Sequence, residues 1–267
     1  MSMSMKTITL GSNSFDYQDS GSGDTTLLLL SGWCQDHRLF KHLIPLLAQH
    51  YRVLNIDWRG HNAARSYDGD FGMDDLTADL VLFLDRLDVE RLIPLSTSHG
   101  GWANIALSQQ LGPLRVPKTI VVDWLMTGAF TDLLQNLQQS QRPESWQQAR
   151  DALFAEWVAH TDNQDVINHV QQEMAGFDQE MWIRSCREIE LAYGQFGSPL
   201  QRLEQLTPER PVMHLYSQPH SAEYDQLQRE FAQRHRWFNP VKIAGASHFP
   251  TLESPDKVVM EIRSFIG

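Results

Sequence analysis

Two cysteines in 267 residues, Cys34 and Cys186, lie far apart and form no C-x-x-C. That excludes a disulfide framework and a thiolate metal site, and two buried free thiols in a reducing cytoplasm are expected instead. Positive charge is also scarce. Lys and Arg number 22 against 33 Asp and Glu, a formal net charge of −11, with no long basic run. A nucleic-acid surface is excluded, and a solvated acidic one is expected. Apolar runs such as residues 27–30 are far too short to cross a bilayer, and residues 1–6 lack the apolar core of a secretory signal. A soluble cytoplasmic protein, with neither nucleic acid nor membrane as partner, is the expectation. Metal-ligand spacings are missing too. The eleven histidines include no H-x-x-x-H, and His37 and His42 do not share a helix face at ligand spacing. No G-x-G-x-x-G follows the first parallel strand, which removes support for a nicotinamide or flavin. No cofactor and no metal are expected.

What is present is an alternation of strand-like and helix-like segments, the pattern of a mostly parallel sheet covered on both faces. Residues 7–10 and 15–19 predict a hairpin turning at Gly11-Ser12-Asn13. Residues 26–31 form a continuous apolar strand of the doubly buried kind. A helix over 38–49, a strand over 51–57, a helix over 74–87 and a strand over 91–95 follow. Strands over 118–123, 211–217 and 240–244 and a helix over 254–266 complete the series. Between Thr127 and Leu206 the strand signal disappears, and a Gln-rich helical segment carries Trp146, Phe154, Trp157, Phe177, Met181, Trp182 and Tyr193. The expected organisation is an α/β core of residues 1–126 and 207–267, with residues 127–206 inserted as a helical cap. The cap aromatics suit either its own core or an apolar pocket roof.

The chemistry concentrates at Ser96-Thr97-Ser98-His99-Gly100. A strand feeds a serine among small residues and a helix follows, the context of a nucleophile elbow, G-x-S-x-G, with Ser96 in place of the first glycine. Ser98 is the elbow serine. The base candidate is His248, which follows the last strand and precedes the last helix, and Asp123, at the end of the 118–123 strand, is the preferred orienter. Glu223 and Asp225 are the alternatives, because Ser217-Gln218-Pro219-His220-Ser221 holds no carboxylate where one is usual. The His99 N–H and the Trp33 N–H, in Ser31-Gly32-Trp33-Cys34-Gln35-Asp36-His37, are the candidate oxyanion donors. Arg59, Gly60 and His61 in Asp57-Trp58-Arg59-Gly60-His61 are expected to hold a loop.

Taken together, the segments at 31–38, 57–61, 96–102, 123–126, 193–199, 217–219 and 247–250 resemble the cofactor-independent 3-hydroxy-4(1H)-quinolone 2,4-dioxygenases, over almost the whole chain. The resemblance implies an α/β-hydrolase fold and cleavage of a small aromatic N-heterocycle by O2, with loss of carbon monoxide and formation of an N-acylanthranilate. It makes His248 the general base, Asp123 its partner and Ser98 a hydrogen-bonding residue. Trp33, His99 and Trp157 then line the site. Some members have histidine where this chain has Gln35 and Thr97, which marks both as substrate-binding positions. Two other readings stay open at this level. The same Ser98–Asp123–His248 set supports an esterase with Ser98 as nucleophile, and a hydrolase scaffold also supports a non-catalytic ligand-binding protein.

Overall fold

Leu27, Leu28, Leu29 and Leu30 are each completely buried in the computed structural model, which describes residues 4–267. Leaving water at four consecutive positions is possible only for a strand covered on both faces, and each leucine contributes about 2 kcal/mol of hydrophobic stabilisation. This strand, β3 (Thr26–Leu30), sits mid-sheet. The others are β1 (Lys6–Leu10), β2 (Asn13–Ser20), β4 (Arg52–Ile56), β5 (Leu92–Thr97), β6 (Thr119–Val122), β7 (Val212–Tyr216) and β8 (Phe238–Lys242). Their order is β1-β2-β4-β3-β5-β6-β7-β8. β1 and β2 form the expected hairpin, β2 runs antiparallel to β4, and the remaining pairs are parallel. β8 is an edge strand with Pro240 at its middle.

The flanking helices are α1 (Leu43–Leu47), α2 (Met73–Arg86), α3 (Gly100–Arg115), α9 (Ala222–Arg234), α10 (Pro250–Glu253) and α11 (Pro255–Ile266). In α2 the apolar residues Leu76, Leu80, Phe83 and Leu84 are buried on one stripe, and the Asp75 carboxylate accepts the Gly72 N–H at 2.9 Å to close its first turn. One expectation fails. Residues 38–49 are not one helix but a 3-10 turn, His37–Phe40, followed by the short α1. Pro45 is the physical reason. Restarting at Leu43 puts the proline in a first turn, where its missing N–H leaves no hydrogen bond unmade. Between β6 and β7 the chain is helical: α4 (Thr131–Ser140), α5 (Trp146–Val158), α6 (Gln164–Asn168), α7 (Gln179–Phe196) and α8 (Pro199–Glu204).

The loop after β4 is tied down as its sequence suggested. Arg59 donates to Asp79 on α2 through Nε at 2.6 Å and Nη2 at 2.7 Å, both side chains being nearly buried. His61, wholly buried, accepts the Cys34 N–H on Nε2 at 3.0 Å while its Nδ1–H donates to the Arg59 carbonyl at 3.1 Å. This joins the loop after β4 to the loop after β3. Removing one partner of the arginine–aspartate pair strands the other charge without water. Asp79→Ala should therefore lower the unfolding free energy by about 3 kcal/mol, read as a lower urea midpoint. A midpoint equal to wild type would contradict it.

Candidate functional site

Four parallel strands end on the same edge of the sheet, and each hands over a residue of the site there. β5 runs into Ser98, β6 into Asp123, β7 into Ser217, and the loop after β8 carries His248. Ser98 and Asp123 both adopt the left-handed backbone conformation, with φ of +47° each. The ladder continues through their amides. Ser98 N–H donates to the Val122 carbonyl at 2.9 Å, and Asp123 N–H to the Leu215 carbonyl at 2.8 Å.

The elbow packs tightly. A Cβ on Gly100 would stand 2.3 Å from the Ser31 carbonyl oxygen, and one on Gly101 would stand 2.3 Å from the Trp124 ring. Both positions thus need glycine for close approach. The serine that replaces the first elbow glycine is accommodated by a hydrogen bond: Asn104 Nδ2, on α3, donates to the buried Ser96 Oγ at 2.9 Å.

Asp123 is 2% exposed and receives donors on both oxygens. Oδ1 accepts His248 Nδ1–H at 2.7 Å. Oδ2 accepts the Ser217 N–H at 2.7 Å and the Gln218 N–H at 3.3 Å. Ser217 Oγ, with one proton to give, lies 2.7 Å from both Asp123 Oδ2 and the Ser247 carbonyl. This fixes the His248 tautomer, with the proton on Nδ1 and the lone pair on Nε2. Glu253 shapes the base loop, its carboxylate accepting the Ala246 N–H at 3.0 Å, the Ser247 N–H at 3.0 Å and the Ser247 hydroxyl at 2.9 Å. The rival carboxylates are engaged elsewhere or lie outside. Asp225 accepts from the Tyr216 hydroxyl and Lys242, and Glu223 sits exposed in the first turn of α9.

A cavity of about 600 Å³ opens over this edge. Ser98, His99, Asp123 and His248 form its floor, with Trp157 and Leu133 of the helical segment opposite. The Trp157 ring stacks on His248 at 5.5 Å between centroids and 25° between planes. His99 accepts the Trp124 indole N–H on Nδ1 at 3.3 Å, so its Nε2 carries the proton. Loss of hydration, and then the neighbouring His248, lower His99 to about 3 and keep it neutral. Ser98 Oγ makes no hydrogen bond to any described residue.

Three predicted site residues sit differently from the expectation. The Trp33 indole is not in the cavity wall. It stacks on Phe71 at 6.0 Å and meets His61 edge-on, because the loop after β3 is pulled back by the Cys34–His61 bond. Gln35 and Thr97 share a narrow recess with Ser98 and His248 but face each other. Gln35 Oε1 accepts the Gly32 N–H at 2.9 Å and the Thr97 hydroxyl at 3.5 Å. Ser217, Glu253 and Asn104 shape the site without having been expected to. Only Ser217 left a signal, standing where a carboxylate usually does. Among the described residues no group of three or more His, Cys, Asp or Glu side chains is arranged to hold a metal ion, and no helix is long and apolar enough to cross a membrane.

Buried neutral histidines set a pH dependence. His61 and His214, both fully buried, are lowered to about 4 by desolvation, and His99 to about 3. As pH falls below the ordinary 6.5, the unfolded chain takes up protons that the folded protein refuses. Each such histidine removes up to about 1.4 kcal/mol of stability per pH unit. His37 works the other way, since Asp57 outweighs its burial and raises it. The net expectation is lower stability at about pH 5 than at about pH 7, measured by urea denaturation. Equal or greater stability at the acidic pH would rule this out.

Comparison with known proteins places the chain as follows. The alpha/beta hydrolase family matches residues 27–261. The 1H-3-hydroxy-4-oxoquinoline 2,4-dioxygenase of Pseudomonas putida is 46% identical over 263 residues, 98% of this chain and 99% of that one. A 2-heptyl-3-hydroxy-4-quinolone dioxygenase of Rhodococcus erythropolis is 38% identical over 263 residues, 97% of each chain. The solved 1H-3-hydroxy-4-oxoquinoline 2,4-dioxygenase superimposes with a TM-score of 0.95, covering 98% of this chain and 100% of that one. An AqdC variant in complex with its substrate, the Pseudomonas quinolone signal, is 36% identical with a TM-score of 0.95, covering 98% of both chains.

Proposed function

Because this chain belongs to the alpha/beta hydrolase family and, within it, to the 3-hydroxy-4-quinolone 2,4-dioxygenases, we propose that it cleaves the heterocyclic ring of a 3-hydroxy-4(1H)-quinolone with O2. The products are carbon monoxide and an N-acylanthranilate, and neither metal nor organic cofactor takes part. One observation carries the reading: the His248 ring, held by Asp123 at 2.7 Å, lines the same cavity as Ser98 and is stacked under Trp157.

His248 Nε2 removes the 3-hydroxyl proton, and Asp123 stabilises the imidazolium that results. The electron-rich anion gives its electrons to dioxygen, and a peroxide forms at C2. Its terminal oxygen attacks the C4 carbonyl and closes a bridge. Cleavage of the O–O bond and of the C2–C3 and C3–C4 bonds then expels C3 as carbon monoxide. Both oxygen atoms stay in the N-acylanthranilate, whose carboxylate balances the proton held by His248. The oxyanion at C4 is met by the Trp33 amide, on the loop after β3, and the His99 amide, next to Ser98. Ser98 and the His99 Nε2–H supply hydrogen bonds to the substrate oxygens. Gln35 and Thr97 shape the recess beside Ser98 rather than donating directly. The helical segment 127–206 is the cap, and Trp157 with Leu133 keeps water from the anion. A reducing cytoplasm suits the two buried cysteines.

Purified protein supplied with 3-hydroxy-4(1H)-quinolones bearing hydrogen, methyl or heptyl at C2 should consume oxygen and release carbon monoxide. His248→Ala should lose roughly 10²- to 10⁴-fold in kcat, and Ser98→Ala should stay within about tenfold of wild type. Near-complete loss in Ser98→Ala, together with an acyl-enzyme trapped on the wild-type protein, would make the chain an esterase instead.

A further inference from the structure

His214, in the middle of β7, is fully buried between Met213 and Leu215 in a strand whose other residues are apolar or aromatic. A polar ring in a sheet core is costly unless both nitrogens find partners, and both do. Nδ1–H donates to the buried Gln228 Oε1 at 2.5 Å, and Nε2 accepts the Trp124 N–H at 3.3 Å. The ring is stacked on Tyr216 at 4.9 Å and 5°. We propose that His214 is a positioning residue for the reaction, fixing the peptide between Asp123 and Trp124 and thereby aiming both imidazoles of the site. The inference rests on the reading of His248 as the base.

A left-handed backbone at a non-glycine residue persists only where its surroundings over-determine it. At Asp123 three bonds do so. Its own N–H goes to the Leu215 carbonyl, the Trp124 N–H to His214, and the Trp124 carbonyl accepts the Tyr224 hydroxyl at 2.7 Å. The first two partners are neighbours on β7, and Tyr224 comes from α9, so the turn is gripped from the sheet and from the helix behind it. The two side chains leaving this turn reach the two histidines. Asp123 Oδ1 binds His248 Nδ1, and the Trp124 indole N–H binds His99 Nδ1. Each bond engages Nδ1 and leaves Nε2, an acceptor on His248 and a donor on His99, on a ring that lines the cavity. Gln228 holds the His214 proton on Nδ1, which keeps a lone pair on Nε2 for Trp124. A residue without an acceptor at 214 would bury the Trp124 N–H unpaired, and the turn would rotate to find a partner.

The test compares His214→Phe, which keeps the ring on Tyr216 but removes the acceptor, with His214→Gln, which restores one near the Nε2 position. His214→Phe should lower kcat roughly 10- to 100-fold. It should also move the acidic limb of the kcat/KM profile to lower pH, because a displaced Asp123 stabilises the imidazolium less. His214→Gln should recover most of both. An unmoved limb with near wild-type kcat, or a loss of kcat with an unmoved limb and no recovery in His214→Gln, overturns the positioning role. Should His214→Phe fail to fold, Gln228→Met leaves the ring in place without its Nδ1 partner. That variant should move the limb in the same direction with a loss of about threefold, and an unmoved limb overturns the inference. His248→Ala run alongside separates the two levels. Turnover retained there overturns the choice of base and this inference with it. Turnover lost there, with His214→Phe like wild type, overturns His214 alone.

Discussion

Everything in this site depends on two adjacent strands ending in residues of the same improbable backbone conformation. Thr97 of β5 pairs with Val122 of β6, and the next residue of each strand, Ser98 and Asp123, turns left-handed at φ +47°. Each costs on the order of 1 kcal/mol relative to an ordinary conformation. The return is geometric. Both side chains leave the sheet at its edge, on neighbouring strands, instead of continuing the alternation, which at these register-matched positions would turn both onto one helix-covered face. The amides of both still extend the ladder, so no hydrogen bond is lost at the turn.

The site also sorts four imidazoles by their surroundings. His248 has a carboxylate on one nitrogen, which holds the proton there and leaves a lone pair on the other. His99 has an indole N–H there instead, which needs a lone pair and so holds the ring neutral. His61 and His214 accept backbone N–H groups and are neutral for the same reason, reinforced by full burial. One ring type thus presents a lone pair at His248, an N–H at His99 and acceptors for backbone amides at His61 and His214. What differs is the atom each ring meets.

Much of this is legible in the sequence. The strand–serine–helix context points to Ser98, the position after the last strand to His248, and a carboxylate at a strand end to Asp123, with Glu223 and Asp225 left open. These signals are local, written in residues next to one another. The helix expected over 38–49 breaks ahead of Pro45, and that signal too is local. The remaining differences are long-range. Trp33 turned to Phe71 because His61, 27 residues from Cys34, holds its loop. Gln35 satisfies Gly32 and Thr97 within the narrow recess beside Ser98. Ser217 reaches Asp123 from 94 residues away, and His214 reaches Trp124 from 90. Such partners have no period and no motif, and they become visible only when the sheet order brings β6 beside β7.

The Pro240 edge bears on how copies of this chain can meet. An incoming strand pairs with a sheet margin through a row of outward N–H and C=O groups, and β8 has a gap in that row at its centre. Lys242, two residues on, adds a cation whose ammonium is already held by Asp225. Sheet-to-sheet extension across β8 is therefore disfavoured, which leaves β1 at the opposite edge, and the helix faces, as the surfaces through which copies of this chain can meet. A chain kept at high concentration is guarded on this side against β-mediated aggregation by a single ring closure in its backbone.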